Sequence, residues 1–200
     1  ASERYRLTQL ALVGEEKIIP SDLEILRGGK SYMLLTLQGL QALYPAAELS
    51  LIVGSDMLSD LPNWYQPEEV LKLADILCVP RIGRNENDDE TAGMLKQRYG
   101  ATVCLLHGRA DIISSTDIRH RLLEGLPVDG LMPETVEQAV YEGGEYFPAE
   151  IRQLQEKCRA ALSAKRYRHV CGTMRAAARI AKLWNQDAKR ARIAALLHDC

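Results

Sequence analysis

Three short apolar runs, separated by segments of helical periodicity, constrain the fold of this chain most. The runs are Leu49–Val53, Ile76–Val79 and Ala101–Leu106, and none of them alternates between apolar and polar residues. Strands without alternation are typical of a parallel sheet that is covered on both faces. Because helices lie between the strands, we predict an α/β fold with crossover helices.

A polar cluster follows each predicted strand. Gly54-Ser55-Asp56 follows the first strand, Arg81 lies just after the second, and Ser114–Arg119 comes after the third. Ligands of open parallel sheets bind beyond the carboxyl ends of the strands. We therefore expect these clusters to contribute to one binding site.

The third cluster, Ile113-Ser114-Ser115-Thr116-Asp117-Ile118-Arg119, combines several features of an anion site. Small hydroxyl residues cap the first amides of a helix, and the positive end of the helix dipole attracts phosphate. Arg119 falls in the first turn, where its planar guanidinium could hold a second phosphate oxygen. The alternative is an ordinary capped helix, ended by Gly125, with a surface arginine.

The strand pattern stops after Pro133, and from Ala149 onward the chain reads as alanine-rich helix. The intervening Glu142–Pro148 has the composition of a linker. We accordingly predict a first domain over residues 1–147 and a second, helical domain over residues 148–200.

Composition excludes several classes of function. The 25 Lys and Arg residues nearly balance the 27 Asp and Glu residues, so the chain as a whole does not attract nucleic acid or an anionic membrane. No apolar stretch approaches the length of a membrane span. Five cysteines without a CxxC spacing, and no visible signal peptide, favour a cytoplasmic protein with small-molecule substrates. Oligomerisation remains possible.

Both ends of the sequence fall inside helical patterns. Ala1 opens directly on one such pattern, and Cys200 directly follows another that has no stop signal. We therefore expect the 200 residues to be a piece of a longer protein, shortened at both ends.

Three segments in order, RGGKSYMLLTLQGL, LIVGSDMLSDLPNWYQPEEVLKLADILCVPRIG and ISSTDIR, resemble the bacterial nicotinate-mononucleotide adenylyltransferase family. The resemblance covers nearly all of residues 1–147. It implies a Rossmann-like nucleotidyltransferase sheet that joins nicotinate mononucleotide to ATP, giving deamido-NAD and pyrophosphate. It also implies Mg²⁺ bridging the ATP oxygens and a transfer without a covalent enzyme intermediate.

The resemblance also implies roles for individual residues. The residues implied to hold ATP are Ile113, Ser114 and Arg119, together with Gly54 and Asp56 as nucleotide contacts. The residues implied to hold the mononucleotide are Trp64, stacked on the pyridine ring, Tyr65, near its carboxylate, Thr36 and Arg81. Three alternatives stay open: Asp56 as a helix cap, Trp64 as a core anchor and Arg81 as a surface charge.

Two departures from the family pattern bear on activity. The family's HxGH motif, which grips the ATP α-phosphate, is missing from these 200 residues, so we expect the chain as given to be inactive in the transfer. Met33 stands where the family has a threonine that helps to bind the mononucleotide. The choice between the nicotinate and nicotinamide forms is therefore open.

The helical part carries a separate signal. Val170, Met174, Ala177, Ala181 and Trp184 form one apolar stripe, with His169 beside it. Ala188, Ala191, Ala195 and His198 form a second stripe, which predicts an inward-facing His198 next to Asp199. Two histidines and a carboxylate brought together can bind a divalent metal. The alternative is a solvated His169 and a hydrogen-bonded His198 in the core.

The segments RYRHVCGTMRAAARIAKLW and ARIAALLHDC resemble the start of the HD phosphohydrolase superfamily, in the branch that splits diadenosine tetraphosphate symmetrically. This resemblance implies that His169, His198 and Asp199 are ligands of iron or another divalent metal. It also gives a rival function, metal-dependent hydrolysis of dinucleoside polyphosphates. The missing HxGH motif gives a second rival, nucleotide binding without turnover.

Overall fold

The structure is a computed structural model and describes residues 2–79, 86–107 and 113–199. The chain divides into two compact units, a strand unit of Ser21–Ile112 and a helical unit of Ala1–Pro20 with Ile113–Cys200.

Within its described residues, the strand unit contains five α-helices, a 3₁₀ turn at Leu61–Asn63 and the three-stranded sheet. In chain order its elements are α2 (Leu23–Arg27), α3 (Met33–Leu43), β1 (Leu49–Gly54), α4 (Ser55–Asp60), α5 (Pro67–Leu73), β2 (Ala74–Val79), α6 (Glu86–Tyr99) and β3 (Val103–Leu105). The helical unit consists of α1 (Ser2–Ala11), α7 (Ser115–Glu124), α8 (Glu134–Gly143), α9 (Ala149–Ala161), α10 (Ala164–Leu183) and α11 (Ala188–Leu197).

The sheet confirms the predicted parallel α/β architecture. Within the described residues its strand order is β1-β2-β3, with both pairs parallel. Leu49 lies opposite Ala74 in the first pair, and Ile76 lies opposite Val103 in the second. Parallel neighbours need a crossover between them, which is why helical segments separate the three apolar runs.

One face of the sheet is well covered. Ile76 and Cys78 are fully buried and pack with Leu58 and Leu61, which follow β1. On the other face Ile52 is 68% exposed, so the prediction of two covered faces is wrong for the described part of the chain. Apolar strand composition does not by itself state whether an element lies against the second face.

Two local predictions are also wrong. The weak alternation of Lys17–Ile25 predicts a short strand, but the chain is irregular there until α2 begins at Leu23. The acidic and polar composition of residues 85–90 predicts an exposed loop, yet α6 begins at Glu86. Acidic side chains near the first turn of a helix complement its dipole, which explains how a strongly polar stretch can be helical.

The helical unit has one core, built from both sides of residue 147. Its buried apolar residues include Leu122, Tyr141, Ile151, Met174 and Leu196. Phe147, in the segment interpreted as a linker, is only 3% exposed and packs edge-on against Tyr141 with 5.1 Å between ring centroids. The packing therefore runs through residue 147, and the domain boundary there stays a prediction.

Trp184 departs from the predicted stripe on α10. Val170 and Met174 are fully buried, whereas Trp184 is 74% exposed at the end of the helix. The helix ends at Leu183, so the periodicity that predicts an inward Trp184 no longer applies there. Among the described residues, none of the helices has both the length and the apolar character needed to cross a bilayer.

Candidate functional site

The start of α7 has the capped geometry that the sequence predicts. Ser114 has an extended backbone, and its hydroxyl accepts a hydrogen bond from the Asp117 amide at 3.0 Å. The Ile118 amide donates to the Ser114 carbonyl at 3.1 Å, which begins the helical ladder. The Ser115 and Thr116 amides precede that ladder at the positive end of the dipole. Such amides are suited to bind an anion.

Arg119 lies on the exposed surface of α7, one turn into the helix. Its guanidinium donates to the Ser115 hydroxyl at 3.0 Å. Asp117 in the same turn accepts a hydrogen bond from Arg121 at 2.9 Å, so a cation offsets its negative charge. Ile113, just before the cap, is 45% exposed. These contacts hold a cationic side chain beside the first amides of α7.

A cavity of about 320 Å³, the α7 cavity, lies beside this helix within the helical unit. Arg119 and Ser115 line it from α7, and Arg4 lines it from α1. The rest of its wall is mainly apolar and includes Leu7, Ile118, Leu122, Met132, Val136 and Val140. Arg119 is thus at the edge of a recess rather than on a flat surface.

The strand unit contains a second recess, the aromatic cavity, of about 370 Å³. Its lining residues are Ser31, Tyr32, Met33, Met57, Asn63, Trp64 and Tyr65. The rings of Tyr32 and Tyr65 lie 4.5 Å apart between centroids with an interplanar angle of 32°. A cavity of this size with aromatic walls is typical of a small-molecule site.

Trp64 has two roles in this unit. It is half-buried and packs against both hydrophobic clusters of the unit, and it also lines the aromatic cavity. The alternative of a core anchor therefore describes part of its surface, and the remainder faces the cavity. Tyr65 is 48% exposed, and its hydroxyl accepts a hydrogen bond from Nε2 of the Gln66 side chain at 3.2 Å.

Sequence reasoning missed Tyr32 as a lining residue. Its backbone is extended at the position before α3, and Met33 opens the helix. The signal for Tyr32 was present in the SYM tripeptide, since a residue at a helix start beside a loop is well placed to face a ligand. Met33, the departure from the family pattern, lines the same cavity.

The structure places Thr36 in a polar network rather than in the aromatic cavity. Its hydroxyl donates to the Glu24 carboxylate at 2.7 Å and accepts a hydrogen bond from Arg27 at 3.4 Å. The Thr36 hydrogen bond is the main cause of a lowered pKa of Glu24, with smaller contributions from Ser31 and Arg27. A binding role for Thr36 stays a prediction, because its hydroxyl already ties α2 to α3.

Gly54 and Asp56 lie at the end of β1 and the start of α4. Gly54 occupies the position before the helix, with a φ of −84°, and Asp56 is in the first turn. Asp56 is therefore not the cap residue, and that alternative is wrong. A carboxylate in this turn is favoured by the helix dipole. The nucleotide-contact roles of Gly54 and Asp56 remain predictions.

A buried hydrogen bond fixes the start of α4 and was not predicted. Ser55 donates to the Asp88 carboxylate at 2.7 Å, and Asp88 is only 3% exposed. Burial, followed by the Asp88 charge, raises the pKa of the neighbouring Cys78 thiol. The pair joins residues 33 positions apart, so no local pattern could have indicated it. Arg81, the remaining predicted residue of this region, lies outside the described residues.

His169 and His198 lie next to each other in the helical unit. Their ring centroids are 5.5 Å apart with an interplanar angle of 60°. His198 Nδ1 is 2.6 Å from the Ala195 carbonyl oxygen, so that nitrogen carries the proton and donates. Both side chains are exposed, so the predicted inward-facing His198 is wrong. His198 lies two residues beyond Leu196, the last buried residue of α11.

Asp199 is bound to an arginine. Its carboxylate accepts hydrogen bonds from Arg166 at 3.1 and 2.9 Å, and these bonds are the first cause of its lowered pKa. Within residues 2–79, 86–107 and 113–199 there is no group of three His, Cys, Asp or Glu side chains that could hold a metal ion. The described residues therefore do not fit a complete metal centre.

Comparisons with known proteins agree with the α/β fold of the sheet. The cytidylyltransferase-like family matches residues 1–121, and the HD domain matches residues 166–200. A solved nicotinic acid mononucleotide adenylyltransferase from Plasmodium falciparum, in complex with APC, has the same fold. Its TM-score is 0.54, with 14% identity over 72% of this chain and 75% of that chain. The fold and the match to residues 1–121 thus define a nucleotidyltransferase of the cytidylyltransferase-like class.

Relatives with higher identity narrow this class. A protein of Corynebacterium jeikeium is 35% identical, covering 75% of this chain and 77% of its own length. Proteins of Dehalococcoides mccartyi and Streptomyces coelicolor are 34% and 38% identical, covering 73% and 68% of this chain and 72% and 69% of their own. All three bear the name "Probable nicotinate-nucleotide adenylyltransferase". The chain belongs to the nicotinate-nucleotide adenylyltransferase family.

Proposed function

We propose that this chain serves in adenylyl transfer from ATP to nicotinate mononucleotide, the step of NAD biosynthesis that yields deamido-NAD and pyrophosphate. The observation that carries the proposal is the aromatic cavity of the strand unit, in a chain 34–38% identical to relatives that bear this name.

The aromatic cavity suits the pyridine ring of the mononucleotide. Trp64 and Tyr65 present flat apolar faces, and stacking on such faces is the usual way to hold a heteroaromatic ring. Tyr32 extends this surface because its ring lies against Tyr65. Met33 adds a polarisable side chain that can adapt to the ring without offering a hydrogen bond.

The first turn of α7 suits the phosphates of ATP. The Ser115 and Thr116 amides point along the helix axis ahead of the ladder, and Ser114 fixes their direction by capping the helix. Arg119 supplies a fixed positive charge beside them. We assign to this group the binding of the triphosphate and the stabilisation of the departing pyrophosphate, with Ile113 as an apolar neighbour.

The chemistry needs positioning and charge neutralisation rather than a nucleophile from the protein. A phosphate oxygen of the mononucleotide forms a bond to the α-phosphorus of ATP, and the bond to the bridging oxygen of pyrophosphate breaks. Mg²⁺ enters with ATP as part of the substrate. Small-molecule substrates of this kind fit a cytoplasmic enzyme, which is the localisation that we propose.

Trp64 allows a direct test, because the chain contains only one other tryptophan, Trp184. In a Trp184→Phe background, nicotinate mononucleotide is expected to quench the Trp64 fluorescence in a saturable way. Trp64→Ala is expected to weaken binding about tenfold or more, since base–aromatic stacking contributes roughly 1–3 kcal/mol. Calorimetric titration of both nucleotide forms would measure the affinity and the preference left open by Met33.

The matched control is Trp184→Ala, which removes a side chain that is 74% exposed in the helical unit. It should leave the mononucleotide affinity unchanged. Equal affinities for the wild type and a folded Trp64→Ala variant would contradict the proposal. The test rests on affinity and not on turnover, because the HxGH motif is missing from these 200 residues.

We do not propose an HD-type activity for the described residues. The adjacent rings of His169 and His198 agree with the HD match, but Asp199 is engaged by Arg166. A metal-ligand role for the three residues, with iron or another divalent ion, therefore stays a prediction.

A further inference from the structure

The guanidinium of Arg192 is buried completely in the helical unit. Arg192 lies on α11, is 0% exposed and has no ion pair within the described part of the chain. Arginine keeps its charge in proteins, and a buried charge is costly unless hydrogen bonds or dipoles compensate it. The acceptors that surround Arg192 therefore indicate what its position achieves.

Two of the acceptors belong to the end of α7. Arg192 donates to the Leu122 carbonyl at 2.7 Å and to the Leu126 carbonyl at 3.3 Å. The Gly125 and Leu126 amides both turn back to the Arg121 carbonyl, so the Leu122 carbonyl is satisfied by Arg192 instead. A cation at this place complements the negative end of the α7 dipole.

Further contacts fix the guanidinium in one place. Arg192 donates to the Tyr141 hydroxyl at 2.8 Å, and its guanidinium carbon, Cζ, lies 5.3 and 5.0 Å from the ring centroids of Tyr141 and Phe147. Both distances are within the range of a cation–π interaction. Two aromatic rings and three oxygen acceptors leave the side chain little freedom.

The backbones of α7 and α11 also meet at this point. Gly125 ends α7 with a φ of +80°, and a Cβ atom there would lie 3.1 Å from the Lys189 amide nitrogen at the start of α11. Glycine therefore allows both the left-handed turn and the close approach. The end of α7 is thus fixed to α11 by a side chain and by direct backbone packing.

We propose that Arg192 is a positioning residue for nucleotide binding, and the inference rests on the proposed function of α7. By holding the carboxyl end of α7, Arg192 sets the direction of the Ser115 and Thr116 amides at the other end. A helix of ten residues is about 15 Å long, so a small tilt at one end displaces the other by a fraction of an ångström to an ångström. Misplacement of that size is costly in a phosphoryl-transfer site. The HD-like segment would then contribute to adenylyl transfer.

The test compares Arg192→Met and Arg192→Lys with the wild-type 200-residue chain. Calorimetric titration with ATP and with nicotinate mononucleotide gives two dissociation constants for each protein. We expect Arg192→Met to raise the dissociation constant for ATP about fivefold or more, while the dissociation constant for the mononucleotide changes by less than about twofold. Arg192→Lys keeps the charge but cannot reach all three acceptors. We therefore expect its dissociation constant for ATP to lie between those of the wild type and Arg192→Met.

Hydrogen exchange supplies a readout that is independent of the ligand. In Arg192→Met the amides of Arg119–Leu122 should exchange about tenfold faster, while those of Ile151–Cys158 in α9 stay unchanged. Arg190→Met, an exposed arginine on the same helix, is the control and should change neither measurement. If Arg192→Met does not fold, Arg192→Lys and Tyr141→Phe replace it in both measurements. Tyr141→Phe removes one of the three acceptors of Arg192, so weaker ATP binding and faster exchange in α7 are expected of it as well.

A folded Arg192→Met with wild-type ATP affinity would overturn the inference. Equally weaker binding of ATP and of nicotinate mononucleotide would also overturn it. So would amide exchange in α9 and α10 that is accelerated as much as in α7, since either result indicates a general loss of core packing. A wild-type chain that binds no ATP would instead refute the proposed function, and the exchange of α7 would still report on the Arg192 contact.

Discussion

The Thr36 hydroxyl shows how a residue of a binding motif can be fully engaged by its own neighbours. It joins the Glu24 carboxylate to the Arg27 guanidinium, which fixes α2 against the first turn of α3. The same turn carries Tyr32 and Met33 at the aromatic cavity. Thr36 therefore can influence the mononucleotide site through the position of α3, without touching the ligand.

Removal of this hydroxyl by Thr36→Val should raise the pKa of Glu24 toward its ordinary value of 4.5. A carboxyl group whose pKa is lowered by folding stabilises the folded state above its ordinary pKa, and this contribution is lost as the pH falls through the lowered value. Thr36→Val should thus be less stable than the wild type at pH 7, by less than about 1 kcal/mol because Glu24 is partly exposed. The stability difference should narrow below pH 4.

Two-dimensional NMR titration of the Glu24 side chain, with urea unfolding at pH 7 and pH 3.5, measures both effects. Thr173→Val is a suitable control, because the Thr173 hydroxyl donates only to a backbone carbonyl of its own helix. An unchanged Glu24 pKa in Thr36→Val would contradict the assigned cause.

The helices α7 and α10 both begin with a serine N-cap. Ser114 accepts from the Asp117 amide at 3.0 Å, and Ser163 accepts from the Arg166 amide at 3.4 Å. The two serines are therefore equivalent as caps, but the proposed function gives a ligand only to the first. Their comparison separates helix stability from phosphate binding.

We expect Ser114→Ala and Ser163→Ala each to lower the free energy of unfolding by about 1 kcal/mol, the usual cost of losing a serine cap. Only Ser114→Ala should weaken ATP binding, because it disorders the amides that point at the phosphates. Chemical unfolding and calorimetric ATP titration of both variants test this. Equal ATP affinities in the two variants would contradict a phosphate role for α7.

At the scale of the whole molecule, the helical unit packs as a single core although it includes residues on both sides of the predicted boundary. Buried residues of α7 and α8, such as Leu122 and Tyr141, share this core with Ile151 and Met174 of the later helices. Glu137 of α8 is 2% exposed and pairs with Arg179 of α10, and burial is the main cause of its raised pKa.

A chain that ends at Phe147 should therefore lose the ordered packing of α7 and α8. Removal of α9–α11 uncovers Leu122, Val136 and Tyr141, and exposes the end of α7 that Arg192 now satisfies. Binding of a hydrophobic dye should increase, and the α7 and α8 amides should lose most of their protection from exchange. Full protection of these amides in the shortened chain would instead support residue 147 as the limit of an independently folding domain.

The features that depend on neighbouring residues are predictable along the chain. The three apolar runs predicted the parallel strands, and Ser114 and Gly125 marked the two ends of α7 correctly. The family motifs pointed to Trp64 and Tyr65, which line one cavity. Strand composition, capping and motif order are local properties, so they can be read along the chain.

Contacts between groups that are distant in the chain depend on the packing of the folded protein. This packing buries Asp88 against Ser55, exposes His198 and brings Arg192 to the end of α7. Phe147, in the segment interpreted as a linker, is likewise buried in the core of the helical unit. Each of these outcomes joins groups far apart in the chain, or depends on what covers a surface. A charged or polar residue is buried only where distant partners satisfy it, and periodicity does not specify those partners.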